Sequence, residues 1–362
     1  MHYLARQQRL SGLLRQARAS GLLVTSPVNV RYLCGFTGSS SVLACRLEGA
    51  EPRLALFTDG RYKTQAREET QGVRVVVGKR PALELATEWV TQSGLSPIAV
   101  EAQQLTIAQR DVVLKHRRRS SRLKSTLGLI EQLRTVKDDQ EIAAIRQAVE
   151  LGAVLLGTAL KTIRPGVAEI AVAAEIEHAA RGSGAEGMSF ETIVAAGPRS
   201  ALPHGRASAQ PIPARGFVVL DFGVILNGYC SDMTRTVYMG RVTSEERHIY
   251  DAVREAQQAA VGAVRAGVTA GAVDSAARSV LRRAALDRYF THSTGHGVGL
   301  EIHEPPRLAR QQSEVLKPGM VITVEPGVYV PGKGGVRIED MVVVRECGCD
   351  VLTPCSRELI EL

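Results

Sequence analysis

Residues 292–306 read HSTGHGVGLEIHEPP, so three of the chain's eight histidines lie in one glycine-rich stretch. An imidazole there can bind a metal, carry a proton or hold a turn, and its partners decide which. Three other stretches end runs of core-type residues on acids: FVVLD (217–221), VITVE (321–325) and VRIED (336–340). A further acid, Asp232, follows Asp221 across Asn227-Gly228, the strongest short hairpin signal. A two-residue turn there pairs Leu226 with Tyr229 and Gly223 with Asp232, making Asp221 a same-face diagonal neighbour of Asp232 at roughly 7–8 Å. With Val330 set opposite Val336, Glu339 comes across from Gly327 and Glu325 shares its face; the parity survives a two-residue slip.

Four carboxylates gathered in a partly dry sheet repel one another and cannot all ionise unless cations join them. Two divalent ions balance four negative charges, and a pair about 3.5–4 Å apart is a common clamp for hydrolysing a polar bond. Such a centre takes an imidazole as well, and 292–306 is the segment dense in them. His292 and His296 are spaced i,i+4, but Ser293 and the glycines at 295, 297 and 299 rule out an HExxH helix. The stretch reads as strand and turn, where glycine lets backbone approach a ligand closely.

The elements that must position these residues fall into two groups. In the first third, Gly21–Pro27, Ser41–Arg46, Arg53–Thr58, Val73–Val77 and Pro97–Val100 read as short strands, with helical spacing over Arg61–Glu69 and Pro81–Ser93. That predicts a small α/β domain ending near Ser125. Helices are then expected over Lys137–Lys161, Ala168–Arg181, Ser244–Ala266 and Ala270–Leu286, each pair followed by hairpins. The pattern predicts an α+β domain with helices outside a curved antiparallel sheet, and permits a two-fold internal pseudo-symmetry.

Composition narrows the classes. A chain of 362 residues is long for one core, so two domains are expected, 1–125 and 126–362. Hydrophobic residues at 44% and charged residues at 23% are ordinary for a globular protein. No apolar run approaches the length needed to span a bilayer, and the Arg-rich, amphipathic N-terminus reads as a first helix and not a secretion signal. A cytoplasmic protein with no membrane partner is expected. The six cysteines are read as reduced thiols, since Cys347, Cys349 and Cys355 match no structural zinc spacing. The net charge of +8 raises nucleic acid as a partner, but the densest basic stretch, KHRRRSSRLK (115–124), has no interleaved aromatics. It reads as a solvated helix exit into a linker, with no nucleic-acid partner expected.

The segments LPHGRAS (202–208), DFGVILNGYCSDMTRT (221–236), HSTGHGVGLEIHE (292–304), VEPGVYV (324–330) and GGVRIED (334–340) resemble, in that order, the pita-bread metallopeptidases. That family includes methionine aminopeptidase, aminopeptidase P and prolidase. NVRYLCGFTGSS (29–40) and LFTDGRYKTQA (56–66) resemble the creatinase-type N-terminal domain of its proline-specific branch, which methionine aminopeptidases lack. The resemblance implies an α+β pita-bread catalytic domain behind a smaller α/β, ribonuclease-H-like domain.

Position by position, the resemblance implies metal ligands at Asp221, Asp232, His296, Glu325 and Glu339. Asp232 and Glu339 would bridge two divalent ions, Asp221 completing one and His296 with Glu325 the other. Mn²⁺ is the first expectation, and Co²⁺, Zn²⁺ and Fe²⁺ suit the same donors. Glu325 is implied as proton acceptor, His204 and His303 as donors to the developing oxyanion, and His292, Arg337 and Tyr329 as substrate contacts. The implied substrates are peptides with proline at the second position, and a homodimer is expected by likeness alone. Aminopeptidase and dipeptidase both fit, with LPHGRAS and the short N-terminal domain leaning towards the small bacterial Xaa-Pro aminopeptidases. A methionine-aminopeptidase-like specificity and a non-catalytic binding relative stand as alternatives; the N-terminal domain argues against the first, the complete ligand set against the second.

Overall fold

Six short strands make the first sheet of the computed structural model, which describes every residue except Ala50 and Ser93. In order across the sheet they are Arg74–Val77, Glu51–Thr58, Ser41–Glu48, Gly21–Val24, Ile98–Glu101 and Leu123–Thr126. The central strands pair antiparallel and the outer ones parallel. The five expected strands are all present. Several elements escaped the sequence reading, among them one helix and one edge strand of this sheet. Helix Pro27–Cys34 is started by Ser26, whose hydroxyl accepts from the Asn29 N–H, and is stopped by left-handed Gly35. Edge strand Leu123–Thr126, LKST, is too short and too polar to show an alternation. Because it belongs to this sheet, the first compact unit extends past Ser125, as Met1–Arg134. The basic stretch is split between the end of helix Ile107–His116 and this strand, and Arg117 turns its guanidinium onto the carbonyls of Arg118, Arg119 and Ser121.

The second unit, Thr135–Leu362, is built twice over from one plan. Helices Asp139–Thr162 and Ser244–Ala263 each open on a capping box, Asp138 with Glu141 and Thr243 with Glu246. Each runs into a turn on a left-handed glycine, Gly166 (φ 86°) and Gly267 (φ 82°), and then into a shorter helix, Glu169–Gly182 and Ala270–Arg283. At each turn two matched backbone bonds recur: Gly166 N–H to Ile212 O and Ile212 N–H to Val167 O, then Gly267 N–H to Leu316 O and Leu316 N–H to Val268 O. The pseudo-symmetry that the sequence permits thus extends to these matched backbone bonds.

Helix Asp139–Thr162 corrects one expectation. Over a stretch of eighteen residues it is long and apolar enough to cross a membrane by length and composition, although isolated charges hide this in the sequence. Half of that stretch is buried, and Ala148, Leu155, Leu156 and Ala159 pack into the core against Val218, Leu220 and Val237. It is a core helix by its packing.

Each half of the unit has its own antiparallel sheet. Met233–Met239, Gly216–Phe222 and Ile193–Ala196 form one; Glu304–Leu308, Gly295–Gly297, Val321–Val324, Asp340–Arg345 and Gly348–Val351 form the other. Val218, Leu220 and Phe222 face one pair of helices, and Ile322, Val324, Val342 and Val344 face the other. The two-residue period of a strand therefore turns Asp221 and Glu325 away from the helices. The first hairpin has the expected register: Leu226 pairs with Tyr229 and Asp221 with Thr234, so Asp232 is its diagonal neighbour. The second slips by two residues, with Val328 opposite Val336 and Gly327 opposite Arg337. Gly334 and Gly335 join the strand instead of the turn, because Gly335 packs on Ser200 so closely that a Cβ would stand 2.2 Å from the Ser200 carbonyl oxygen. Parity survives, and counting from the Val324–Asp340 pair sets Glu325 across from Glu339.

Candidate metal centre and cleft

The acids converge where the two sheets meet. Ligand-type atoms of Asp232, His296 and Glu339 lie within 4.8 Å of one another. His296 Nε2 stands 3.5 Å from Asp232 Oδ2 and 3.5 Å from Glu325 Oε1. Its Nδ1 faces the Gly297 carbonyl at 3.0 Å, and a carbonyl only accepts, so Nδ1 carries the proton and Nε2 a lone pair. Burial lowers this imidazole to about 4, so it is neutral at pH 7. A lone pair aimed at two carboxylates is repulsive unless a proton or a metal cation lies between them.

The acids record the same crowding. Burial first, then the charges of Glu339, Asp221 and Glu325, raise the Asp232 carboxyl well above its ordinary range. Burial, then Glu325 and Asp221, do the same to Glu339. Burial lifts Glu325 to about 7, with Arg337 opposing. Asp221 Oδ1 and Glu339 Oε1 are buried with no hydrogen-bond partner among the described residues. Unsatisfied buried acceptors beside a free imidazole nitrogen fit divalent cations, and an oxygen-rich set with one nitrogen suits first-row metals.

Polar side chains behind the acids hold them in place. Thr234 Oγ1 donates to Glu339 Oε2 at 2.7 Å and accepts from Arg337 Nε at 3.1 Å. Thr323 Oγ1 accepts from the His296 backbone N–H and lies 3.4 Å from Glu325 Oε1. Arg337 also donates to Asp221 Oδ2 (2.6 Å), the Pro203 carbonyl (3.1 Å) and the Tyr329 hydroxyl (2.5 Å).

A cleft of about 980 Å³ opens over the acids, and His204, His292, His303 and Arg337 line it with them. Tyr329 is not brought to this wall. It is buried behind it, its hydroxyl 2.8 Å from His292 Nε2 and bonded to Arg337, so its connection to the cleft runs through those two side chains. His292 Nδ1 donates to the Ser293 carbonyl, and burial, then Arg337, lowers its imidazole to about 4; Tyr329 therefore donates to a neutral His292. Burial, then His204, lowers His303 as well.

Sequence reasoning missed several wall residues. Arg307 pairs in register with His296, lines the cleft and is exposed. The alternation in PPRL (305–308) was its one signal. Phe190, Ile193 and Ile302 give the cleft an apolar side, with nothing in the sequence to set them apart from core residues.

Comparisons with known proteins agree with this geometry. Residues 143–346 match the metallopeptidase family M24, which implies divalent metal ions, and residues 6–136 match the creatinase/prolidase N-terminal domain. The chain is 47% identical over 232 residues to an Xaa-Pro dipeptidase of Pyrococcus furiosus, spanning 64% of this chain and 67% of that one. It is similar along the whole of both chains to the structure of an Xaa-Pro dipeptidase from Bacillus anthracis, at 39% identity and a TM-score of 0.95. An X-Pro aminopeptidase from Thermotoga maritima MSB8 is similar at 35% identity and a TM-score of 0.87, over 97% of this chain and 100% of that one. With more than half its length matched and a two-domain likeness end to end, this chain belongs to the metallopeptidase family M24.

Proposed function

We propose that the protein is a metal-dependent dipeptidase hydrolysing the bond between a first residue and proline. Asp221, Asp232, His296, Glu325 and Glu339 would hold two divalent ions, Mn²⁺ first among the candidates. The observation that carries the reading is the lone-pair nitrogen of His296 facing buried acids, with Arg307 beside it on the cleft wall. When bound, the ions lower the pKa of a water for attack and polarise the scissile carbonyl. Glu325 takes the proton of the attacking water and returns it to the leaving nitrogen. His204 and His303 donate hydrogen bonds to the oxygen that gains charge. Arg307, with no side-chain partner among the described residues, is placed to receive the carboxylate that ends a dipeptide. The apolar side formed by Phe190, Ile193 and Ile302 suits a proline ring.

The lean towards an aminopeptidase drawn from LPHGRAS is not kept. The full-length structural likeness and the most identical relative above are both named Xaa-Pro dipeptidases, and a cleft-wall arginine favours a substrate that ends close to the scissile bond. The test is to incubate Mn²⁺-loaded protein with Gly-Pro, Gly-Pro-Ala and Met-Ala-Ser. Gly-Pro is expected to be cleaved fastest and Met-Ala-Ser not at all; rapid release of methionine with no cleavage at proline overturns the reading.

A further inference from the structure

The wall that carries His204 has little regular structure of its own. Between the end of strand Ile193–Ala196 and Ser208 the chain makes one short 3₁₀ turn, Gly197–Ala201, and then runs through Leu202, Pro203, His204 and Arg206, the last joined to Ile193 by an isolated bridge. Its two ends are gathered on a single side chain. Glu169, in the first turn of helix Glu169–Gly182, is fully buried, and its Oε1 accepts from the Ala196 N–H at 2.9 Å. Its Oε2 accepts from both the N–H (3.1 Å) and the hydroxyl (2.6 Å) of Ser208. Arg199 Nε spans both oxygens at 3.1 and 3.0 Å, while its Nη2 reaches the Arg206 carbonyl at 2.8 Å. One carboxylate thus closes the neck of the loop and, through Arg199, braces its middle. The loop also touches the acid site, since the Pro203 carbonyl accepts from Arg337.

We propose that Glu169 is a positioning residue for the reaction, setting where His204 stands on the cleft wall. The inference rests on the function proposed above. Its physical basis is that a loop without a ladder of its own takes its place from its anchors, and that a displacement of about 1 Å at a reacting group can cost 10²-fold in rate. Glu169→Gln keeps the shape of the anchor but turns an N–H₂ group towards donors, so one of the two neck contacts becomes a donor–donor clash.

Two measurements on the metal-loaded, full-length protein test it. Hydrogen exchange in Glu169→Gln is expected to quicken in residues 196–208 and to stay unchanged in helix Asp139–Thr162 and strand Gly216–Phe222. In turnover of Gly-Pro, the variant is expected to lose about 10–100-fold in kcat/KM, and this loss is expected to vanish when His204 is already alanine. Ser208→Ala, which removes one donor and leaves the carboxylate intact, is expected to move both readouts the same way by less; it carries the test if Glu169→Gln fails to fold. Unchanged exchange at 196–208, loosening spread through the whole unit, or losses that multiply with His204→Ala each overturn the proposal. The exchange arm needs no substrate, so it decides the anchoring even if wild-type protein fails to cleave Gly-Pro, a result that counts against the proposed function instead.

Discussion

Arg337 Nη2 stands 2.6 Å from Asp221 Oδ2, both side chains buried, so one acid of the quartet already has a cation of its own. The other three feel the Arg337 charge only at a distance and have no ion pair with an arginine or lysine among the described residues. This asymmetry makes the site partly tolerable without metal and leaves Asp232, Glu339 and Glu325 as the acids that most need one.

Removing the guanidinium exposes that dependence. Arg337→Met leaves Asp221 buried and uncompensated, which costs roughly 3–5 kcal/mol in the metal-free protein. Divalent ions recover part of it. Urea unfolding with chelator and with Mn²⁺ is the check, and equal losses in both conditions count against a metal at Asp221.

Metal uptake at neutral pH is expected to release protons. Burial lifts Glu325 to about 7 and raises Asp232 and Glu339 well above the ordinary carboxyl range, so the metal-free site retains protons that an ion must displace. The sign follows from carboxyls raised above their ordinary values: the metal-free site binds more protons than the loaded one, and the difference shrinks as pH rises. Calorimetric titration with Mn²⁺ in buffers of different ionisation enthalpy is expected to give a proton release that is larger at pH 6.5 than at pH 8.5.

Thr234→Val keeps the shape of the side chain and removes the hydroxyl between Glu339 and Arg337. Loss of such a support typically weakens metal affinity by about 10–100-fold. Equilibrium competition with a chromogenic chelator measures it, and Thr234→Ser is expected to restore most of the affinity.

Arg307→Met is expected to lower kcat/KM for Gly-Pro by about 10–100-fold, the worth of one charge-assisted contact of roughly 1.5–3 kcal/mol. Gly-Pro amide, which lacks the carboxylate, is expected to be hydrolysed alike by both proteins. An equal loss on the two substrates removes Arg307 from substrate recognition.

Much of this site was legible in the sequence because strand chemistry is periodic. Asn227-Gly228 announced its turn, and the register it implies is the one that brings Asp221 and Asp232 together. The second hairpin was misplaced by two residues, since the packing of Gly335 on Ser200, distant in the chain, decides where the turn ends. Parity alone kept Glu325 and Glu339 on one face. In the N-terminal unit, Pro27–Cys34 hid behind a proline that reads as a breaker and serves as the first helical residue. Tyr329 lay in a recognisable motif, yet its burial behind His292 depends on contacts that no local pattern records. Glu169 and Arg307 were silent for the same reason: their meaning comes from partners that only the fold supplies.

The paired plan of the catalytic unit bears on when its chemistry first exists. Asp221 and Asp232 come from the sheet of one half, and His296, Glu325 and Glu339 from the other. The proposed ligand set is complete only when both halves are folded together, so ions held by it would stabilise the assembled native state by an amount that grows with the logarithm of free metal. On that assignment, nascent or partly unfolded chains would lack the full set of donors, a safeguard inherent in dividing the proposed ligands between two halves.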